Sequence, residues 1–302
     1  MAAKVSVARW ANTPNTAELG AILGAGPRYL TVGHSGLDAR GIGAMTELAG
    51  SRRGVFLHDT IPLDWPETQN DGAEARFRDR LAWVARAASH VFAPLASTAD
   101  DISRHLGAHG WNGGIVVAPP GVDVAAPTAV QDGLQTERPY FVVVGTIEPR
   151  KNHAFLLDLW DSLPAPKPRL FVVGRRGWRS EDVFARLDRA AQTGDVIECN
   201  GLDDGAVSAL LKGARALLFP SLAEGYGYPP LEAAALGVPV IAAPLPQTRA
   251  VLGDRVIYAP TDDLYQWQRA IGDMSTTGRS KGESPHLPKW FVHFDLVLKS
   301  LG

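Results

Sequence analysis

Two glutamates and two glycines stand close together in the segment ALLFPSLAEGYGYPPLEAAALGVPV, residues 216–240. Glu224, Gly225 and Gly227 fall in a predicted loop after an apolar run, and Glu232 falls in the predicted helix that follows. Glycines let backbone N–H groups approach a ligand closely, and the start of a helix favours negative charge. Carboxylates on both sides of such a loop suit the hydroxyl groups of a sugar and a ribose that a diphosphate joins. The alternative is a plain strand-to-helix turn in which Glu232 complements the helix dipole.

Two adjacent cations follow the glycine that ends another apolar run, in the segment YFVVVGTIEPRKNH, residues 140–153. Asn152 is the predicted N-cap of the next helix, so Arg150 and Lys151 lie at a helix end that repels cations. A bound anion removes this conflict. A pyrophosphate leaving group fits, with Arg150 donating two hydrogen bonds and Lys151 acting as a point charge. The alternative is a pair of solvated surface cations.

The pair His58–Asp59 is the third candidate, because it follows the apolar run Val55–Leu57 in the first half of the chain. Side chains at the carboxyl end of a parallel strand face the crevice where α/β proteins bind ligands. A structural histidine is the alternative. The three candidates come from distant parts of the chain and are predicted to converge on one crevice.

These candidates require strands that end at a common edge. Short apolar runs, turn-forming loops and helical patterns recur along the chain, as they do in βα units. The predicted strands are residues 29–32, 55–57, 90–93, 115–118, 140–144, 170–173, 196–199, 216–219 and 238–242. The predicted helices are residues 73–89, 154–163, 181–191, 204–214, 231–236 and 290–301. The pattern predicts an α/β fold with parallel sheets that helices cover on both faces.

A stretch of turn formers without periodicity predicts a linker over residues 126–138. It separates a predicted N-terminal domain, residues 1–125, from a second domain, residues 139–285, and a final helix follows in residues 286–302. Four arginines lie along the predicted helix at residues 73–89. Such a basic face suits peripheral contact with a membrane that carries a lipid-linked acceptor, and a solvated face is the alternative.

Bulk properties exclude several classes of protein. The 302 residues carry a formal net charge of −2, so no global field attracts nucleic acid. The single cysteine, Cys199, cannot form an internal disulfide, and no run reaches the ~18 apolar residues of a membrane span. The first residues lack a signal-peptide pattern, so the expected location is the cytoplasm or the inner face of the plasma membrane.

Other nucleotide-binding classes lack their motifs here. No G-x-G-x-x-G follows a predicted strand and opens a helix, which argues against a dehydrogenase. No P-loop pattern is present, which argues against a phosphoryl-transferring NTPase. The doublet Asp203–Asp204 is interpreted as a helix N-cap rather than as a pair of metal ligands.

The pieces FLHDTIPLDWPE, VAPPGVD, VVVGTIEPRKNH and PSLAEGYGYPPLEAAALGVPVIAAP resemble bacterial mannosyltransferase-like enzymes of the retaining glycosyl transferases group 1 family. The resemblance spans residues 29–260, and its most specific part is Glu-x7-Glu in the context PS-x-x-EG-x-G. It implies the GT-B fold, in which two Rossmann-like lobes face each other across a cleft. The first lobe of this chain is then shorter than in relatives.

The resemblance also implies roles for individual residues. Glu224 is expected to contact the donor sugar near the anomeric carbon, Lys151 to stabilise the leaving diphosphate, and His58 to lie beside the transferred sugar. Glu232 is expected to bind the ribose. The implied donor-binding residues are Gly145, Thr146, Arg150, Lys151, Gly174, Arg175, Leu202, Gly225, Tyr226, Gly227, Tyr228 and Glu232. Neither a metal nor another cofactor is expected.

The implied reaction moves a hexose, first of all mannose from GDP-mannose, to a glycan or lipid-linked acceptor in surface polysaccharide synthesis. Two departures weaken the match. Thr146 stands where many relatives have arginine, and Gly24-Ala-Gly26 stands where relatives have a glycine-rich loop. The expectation is reduced or absent transfer by this chain. The alternative function is a non-catalytic partner subunit that binds a nucleotide-sugar.

Overall fold

The computed structural model describes residues 27–33, 43, 46–47, 52–130, 133–134, 136–276 and 287–302. The strands are β1 Tyr29–Thr31, β2 Arg53–Phe56, β3 His90–Ala93, β4 Ile115–Val117, β5 Tyr140–Val144, β6 Arg169–Val173, β7 Val196–Cys199, β8 Leu217–Phe219, β9 Val240–Ala242 and β10 Ile257–Tyr258. The α-helices are α1 Ile61–Asp64, α2 Ala73–Ala87, α3 Ala96–Gly107, α4 His153–Ser162, α5 Glu181–Ala190, α6 Asp204–Gly213, α7 Tyr228–Ala235, α8 Pro246–Leu252, α9 Leu264–Thr276 and α10 Trp290–Ser300. Short 3-10 turns cover Pro66–Thr68, Pro149–Lys151 and Gly253–Arg255. None of the described helices has the length and apolar character that a membrane span needs.

The first lobe contains a parallel sheet in the order β1-β2-β3-β4. Successive residues of a strand point to opposite faces, so Val55 and Phe56 of β2 enter different cores. Val55 packs with helices α2 and α3, whereas Phe56 packs with Val297 and Leu301 near the carboxyl end of α10. The last described helix of the chain therefore completes the first lobe.

The second lobe contains a parallel sheet in the order β10-β9-β8-β5-β6-β7. Val142, Phe171 and Leu217 face one core, and Phe141, Leu170 and Leu218 face the other. Burial of each such side chain contributes about 1.5–3 kcal/mol, which explains why these strands are continuously apolar. The order reverses between β5 and β8, and sheets of this kind bind ligands outside the carboxyl ends of the strands at that point.

Direct hydrogen bonds join the two lobes. The Thr98 hydroxyl donates to the Gly225 carbonyl at 2.9 Å, and the Tyr226 hydroxyl donates to the Pro120 carbonyl at 2.9 Å. The Trp178 indole N–H donates to the Thr68 carbonyl at 3.1 Å. These contacts hold the carboxyl ends of both sheets on the same crevice.

Most of the predicted elements form, with limits that differ by a few residues. Helix α3 was not predicted, although Ala99, Ile102 and Leu106 lie at helical spacing and are buried. Asn152 precedes α4 as predicted, but it adopts a left-handed conformation with φ 57° and its side chain makes no capping hydrogen bond. The segment Gly24–Gly26 lies outside the described residues.

Candidate donor site between the two lobes

Two loops meet where the strand order reverses. One follows β5 and contains residues 145–151, and the other follows β8 and contains residues 220–227. The backbone N–H of Leu222 donates to the Arg150 carbonyl at 2.8 Å, so the loops are joined directly. Since β5 and β8 are neighbours, this contact follows from the strand order rather than from proximity in sequence.

Glu224 is the centre of a buried charge cluster. Its carboxylate accepts from Lys151 Nζ at 2.5 Å and from Arg150 Nη1 at 3.0 Å. Arg150 also pairs through Nε with Glu148 at 2.8 Å and donates to the Ala223 carbonyl at 3.1 Å. The exposed fractions of Glu148, Lys151 and Glu224 are 3%, 9% and 8%. The structure brings the acidic turn and the Arg-Lys pair into direct contact. That a diphosphate binds between them, and the roles of these residues, stay predictions.

The cluster keeps Glu224 ionised. Burial raises the pKa of Glu224, but the charges of Lys151 and Arg150 and hydrogen bonds from Lys151 and Ser221 outweigh burial and hold that pKa below its usual value. For Glu148 the balance is reversed, since burial outweighs Arg150 and Lys151 and raises its pKa. Glu224 is therefore an anion at neutral pH.

Such a cluster is a poor way to gain stability. Moving charges out of water costs several kcal/mol per ion, and breaking one buried pair costs about 3–5 kcal/mol because a charge is left without its partner. Well-packed apolar side chains stabilise a core as effectively. The arrangement at the ligand-binding edge of a sheet therefore indicates a function for these charges.

Arg150 has a different environment from the one predicted. Its Nε and Nη1 atoms donate to Glu148, Glu224 and the Ala223 carbonyl, so it fastens the two loops together. These contacts use Nε and Nη1, so a diphosphate that left them in place would have to bind through Nη2, which has no partner among the described residues. Arg150 remains a predicted donor ligand, but the structure gives it a clear positioning role.

Gly225 is needed because the backbone of the first lobe packs closely against it. A Cβ atom at this position would overlap the His58 carbonyl oxygen and lie 3.0 Å from the Asp59 Cβ atom. Gly225 was predicted to let a ligand approach the backbone, whereas in the structure it admits the His58 backbone. The His58 ring is exposed and donates to the Val32 carbonyl at 2.5 Å. His58 and Glu224 thus belong to neighbouring surfaces of one crevice.

The loop after β6 lies against the loop after β5. A Cβ atom at Gly174 would overlap the Gly145 carbonyl oxygen, so only glycine allows this approach. The Ile147 N–H donates to the Arg175 carbonyl at 2.9 Å. The Arg175 side chain is exposed and has no partner among the described residues, and Thr146 adds no charge beside it.

Helix α7 begins at Tyr228, three residues before the predicted start, with prolines in its first turn. Glu232 lies one turn further on, and its carboxylate has no hydrogen-bond partner among the described residues. Burial, followed by the nearby Asp204, raises the pKa of Glu232. Tyr226 is buried, with its hydroxyl on Pro120, and its ring lies 5.1 Å from that of Tyr228. Leu202 packs against the core of the second lobe.

Three residues of the site were missed by the sequence analysis: Glu148, Ser221 and Thr98. Glu148 stands in the quoted EPRKN segment, where its charge was a usable signal. Ser221 and Thr98 gave none, because serine and threonine near strand ends are common in loops and caps. No group of three or more His, Cys, Asp or Glu side chains in the described ranges is placed to hold a metal ion. The expectation that no metal is required stays a prediction.

Residues 128–275 match the family described as "Glycosyl transferases group 1", and this range contains the whole charge cluster. The chain contains a glycosyl transferases group 1 domain. Outside it, the first lobe contributes His58 and Thr98 to the crevice. The predicted resemblance is thereby confirmed.

The group 1 domain lies in a chain similar to bacterial mannosyltransferases. The chain is 27% identical over 275 residues to the serotype-specific mannosyltransferase WbdA of Escherichia coli, covering 84% of this chain and 34% of that protein. It is 32% identical over 128 residues to the O-antigen chain mannosyltransferase B of Escherichia coli, covering 41% of this chain and 34% of that protein. The chain thus spans about a third of the length of these relatives.

Solved structures share the two-lobed fold. Anabaena HepE in complex with UDP and glucose superposes with a TM-score of 0.70 at 17% identity, covering 90% of this chain and 77% of that one. Sucrose-phosphate synthase from Thermosynechococcus elongatus superposes with a TM-score of 0.63 at 19% identity, covering 82% and 65%. The predicted GT-B fold is confirmed.

Proposed function

We propose that this protein transfers a hexose from a nucleoside-diphosphate sugar to a hydroxyl group of a glycan or lipid-linked acceptor, with retention of anomeric configuration. The contact between Glu224 and Lys151 carries the proposal. It sets an anion beside a cation at the carboxyl end of a strand, where a doubly wound sheet binds its ligands. One group can hold donor-sugar hydroxyls while the other supports the leaving phosphate.

The donor is proposed to lie along the edge of the second sheet. Its diphosphate takes the space between Lys151 and the amino end of α7, where the free N–H groups and helix dipole favour an anion. Glu232 is one turn into α7 and has an uncommitted carboxylate for the ribose hydroxyls. The exposed Arg175, beside Gly145, supplies the cation that Thr146 lacks.

The proposed step breaks the bond between the anomeric carbon and the diphosphate oxygen and forms a bond to the acceptor oxygen. The acceptor proton passes to the departing diphosphate, so no protein group gains or loses a proton. Negative charge grows on the diphosphate as the bond breaks, and Lys151 stabilises that charge in a crevice partly shielded from water. Glu224 stabilises the positive charge that develops on the sugar ring.

The names of the relatives favour mannose as the transferred sugar and O-antigen-like polysaccharide as the product. We therefore propose GDP-mannose as the donor. The structural neighbour HepE was solved with UDP-glucose, so UDP-sugars are the alternative donors to compare with GDP-mannose. A location in the cytoplasm, at the inner face of the membrane, belongs to the same proposal because both donor and lipid-linked acceptor are accessible there.

Calorimetric titration with GDP, UDP and ADP tests the donor site. One diphosphate is expected to bind, and Lys151→Ala should weaken its binding about 10–100-fold, because a charge-assisted contact is lost. Lys299→Ala is the matched control, since this exposed lysine of α10 pairs only with Asp295 among the described residues. Equal affinities of the Lys151→Ala variant and the unmodified protein would remove Lys151 from the site.

Turnover is tested separately with GDP-mannose and an acceptor. Slow release of GDP with an α-linked product, read by NMR, is the expected result, since Thr146 and Gly24–Gly26 depart from the pattern of relatives. Diphosphate binding without release would instead support the non-catalytic partner subunit. A β-linked product would refute retention while leaving the donor site in place.

A further inference from the structure

A cavity adjoins Glu224 where the two lobes meet. Its volume is about 260 Å³, and both lobes form its walls. The first lobe contributes residues of α1 and α3, and the second contributes the loop after β8 and the start of α8. The side chains used below are those of Asp59, Asp64, Trp65, Asp101, Arg104 and Gln247.

The strand order gives this cavity its place relative to the donor. Leu202 follows β7, Lys151 and Glu224 follow the central strands β5 and β8, and Gln247 follows β9. A nucleotide-sugar laid along this edge from Leu202 to Glu224 leaves the β9 side for a second substrate. The cavity is therefore where a hydroxyl can reach the sugar held at Glu224.

The charges of the cavity disfavour an anionic ligand. Arg104 is the one arginine or lysine in its described lining, and it pairs with Asp101 at 2.8 Å and with Asp64 at 3.0 Å. Glu224 is balanced by Lys151 and Arg150. Asp59 accepts a hydrogen bond from the Ile61 N–H at 3.1 Å but has no salt bridge in the described chain. An entering phosphate or carboxylate finds carboxylates and no free cation.

The remaining lining suits a sugar. Trp65 exposes 36% of its surface and offers an apolar ring on which the C–H face of a sugar can stack. The Gln247 side chain has no described hydrogen-bond partner, and an amide both donates to and accepts from hydroxyl groups. Asp59 and Asp101 keep carboxylate oxygens that accept from hydroxyl groups.

We propose that this cavity binds the terminal sugar of the acceptor and selects a neutral, hydroxyl-rich residue over a phosphorylated or acidic one. The inference rests on the proposed transferase function and adds the chemical class of the acceptor. Trp65 contributes the stacking surface, and the paired state of Arg104 sets the charge preference.

The test measures release of nucleoside diphosphate from the donor with two matched acceptors, methyl α-mannoside and mannose 6-phosphate. The neutral glycoside is expected to be used about tenfold more efficiently, since like charges across a binding surface are strongly disfavoured. Equal use, preference for the phosphate, or stimulation by neither sugar would overturn the proposal. If the unmodified protein does not bind the donor, the proposed function itself would be overturned.

Two variants sharpen the test. Trp65→Ala should raise the acceptor KM about tenfold, because the aromatic ring on which the sugar stacks is removed. Asp101→Asn takes one carboxylate from Arg104 and should shift preference towards mannose 6-phosphate. Nucleoside-diphosphate affinity, measured by calorimetry, reports that each variant is folded. An unchanged acceptor KM in Trp65→Ala, or unchanged preference in Asp101→Asn, would contradict the assignment.

Discussion

Acidification should destabilise this protein through one buried histidine. His153 begins α4 beside Lys151, its exposed fraction is 3%, and neither ring nitrogen has a hydrogen-bond partner among the described residues. Burial, with the nearby charge of Lys151, lowers the pKa of His153 from 6.5 to about 4. The perturbation is therefore a change of pH, compared between the unmodified protein and His153→Phe.

The magnitude follows from linkage. In the unfolded chain His153 binds a proton once the pH falls below 6.5. In the folded protein it binds a proton only when the pH approaches its lowered pKa of about 4. The contribution of His153 to the free energy of unfolding is therefore fully present above pH 6.5 and is lost as the pH falls toward about 4. Between about pH 7.5 and about pH 5 the free energy of unfolding should fall by about 2 kcal/mol.

Urea unfolding at these two pH values measures the effect. Glu148 and Glu232 have raised pKa values and change stability in the opposite direction over part of this range. The relevant quantity is therefore the pH dependence of the unmodified protein minus that of His153→Phe. Phe155→Leu, on the same helix, is the control and should destabilise the protein equally at both pH values.

The same pH dependence of the free energy of unfolding in His153→Phe and in the unmodified protein would contradict this prediction. That result would mean that the folded histidine binds a proton as readily as the unfolded one. An NMR titration of the ring protons gives the pKa directly and separates this outcome from a change in the unfolded state.

Two other variants test the site itself. Glu224→Gln keeps the shape of the side chain but removes its charge, so transfer should fall by about 10²–10³-fold, as when one preorganised electrostatic contact to the transition state is lost. Diphosphate affinity in calorimetry should persist because Lys151 remains, and an equal loss of both would reduce Glu224 to a structural role. Gly225→Ala places a methyl group against the His58 carbonyl and should destabilise by about 1–3 kcal/mol. Gly272→Ala, in open space on α9, is its control, and similar unfolding midpoints for the two variants would show that the lobes separate freely at Gly225.

Local signals determined much of the architecture. Continuous Val, Ile and Leu runs predicted the central strands, because residues buried on both faces of a parallel sheet cannot alternate with polar ones. The helix predicted at residues 231–236 forms as α7, with two prolines in its first turn and Gly237 just beyond its end. Proline has the fixed φ of a first helical turn, and glycine accepts the left-handed conformation, φ 67°, that ends a helix. The N-cap role of Asp203 was likewise readable, and its carboxylate accepts from the Ala206 N–H at 2.7 Å.

Other local sequence signals predicted the structure only in part. Asn152 was correctly placed before α4, but its left-handed conformation removes the capping bond that the residue type suggested. Helix α3 was overlooked because its first turn, Ala-Ser-Thr-Ala, is small and polar, although its buried face carries Thr98 into the crevice. The final helix was predicted, but its packing on the first lobe was not.

The sequence by itself determined which residues can do chemistry: two glutamates around a glycine turn and two cations after a strand. Only the tertiary structure decided that Glu224 binds both Lys151 and Arg150, and that Arg150 is also tied to Glu148. The two contacts of Glu224 join residues 73 and 74 positions apart, and they exist because β5 and β8 are neighbours in the sheet. Periodicity reports which face of an element is buried, whereas strand order decides which loops meet.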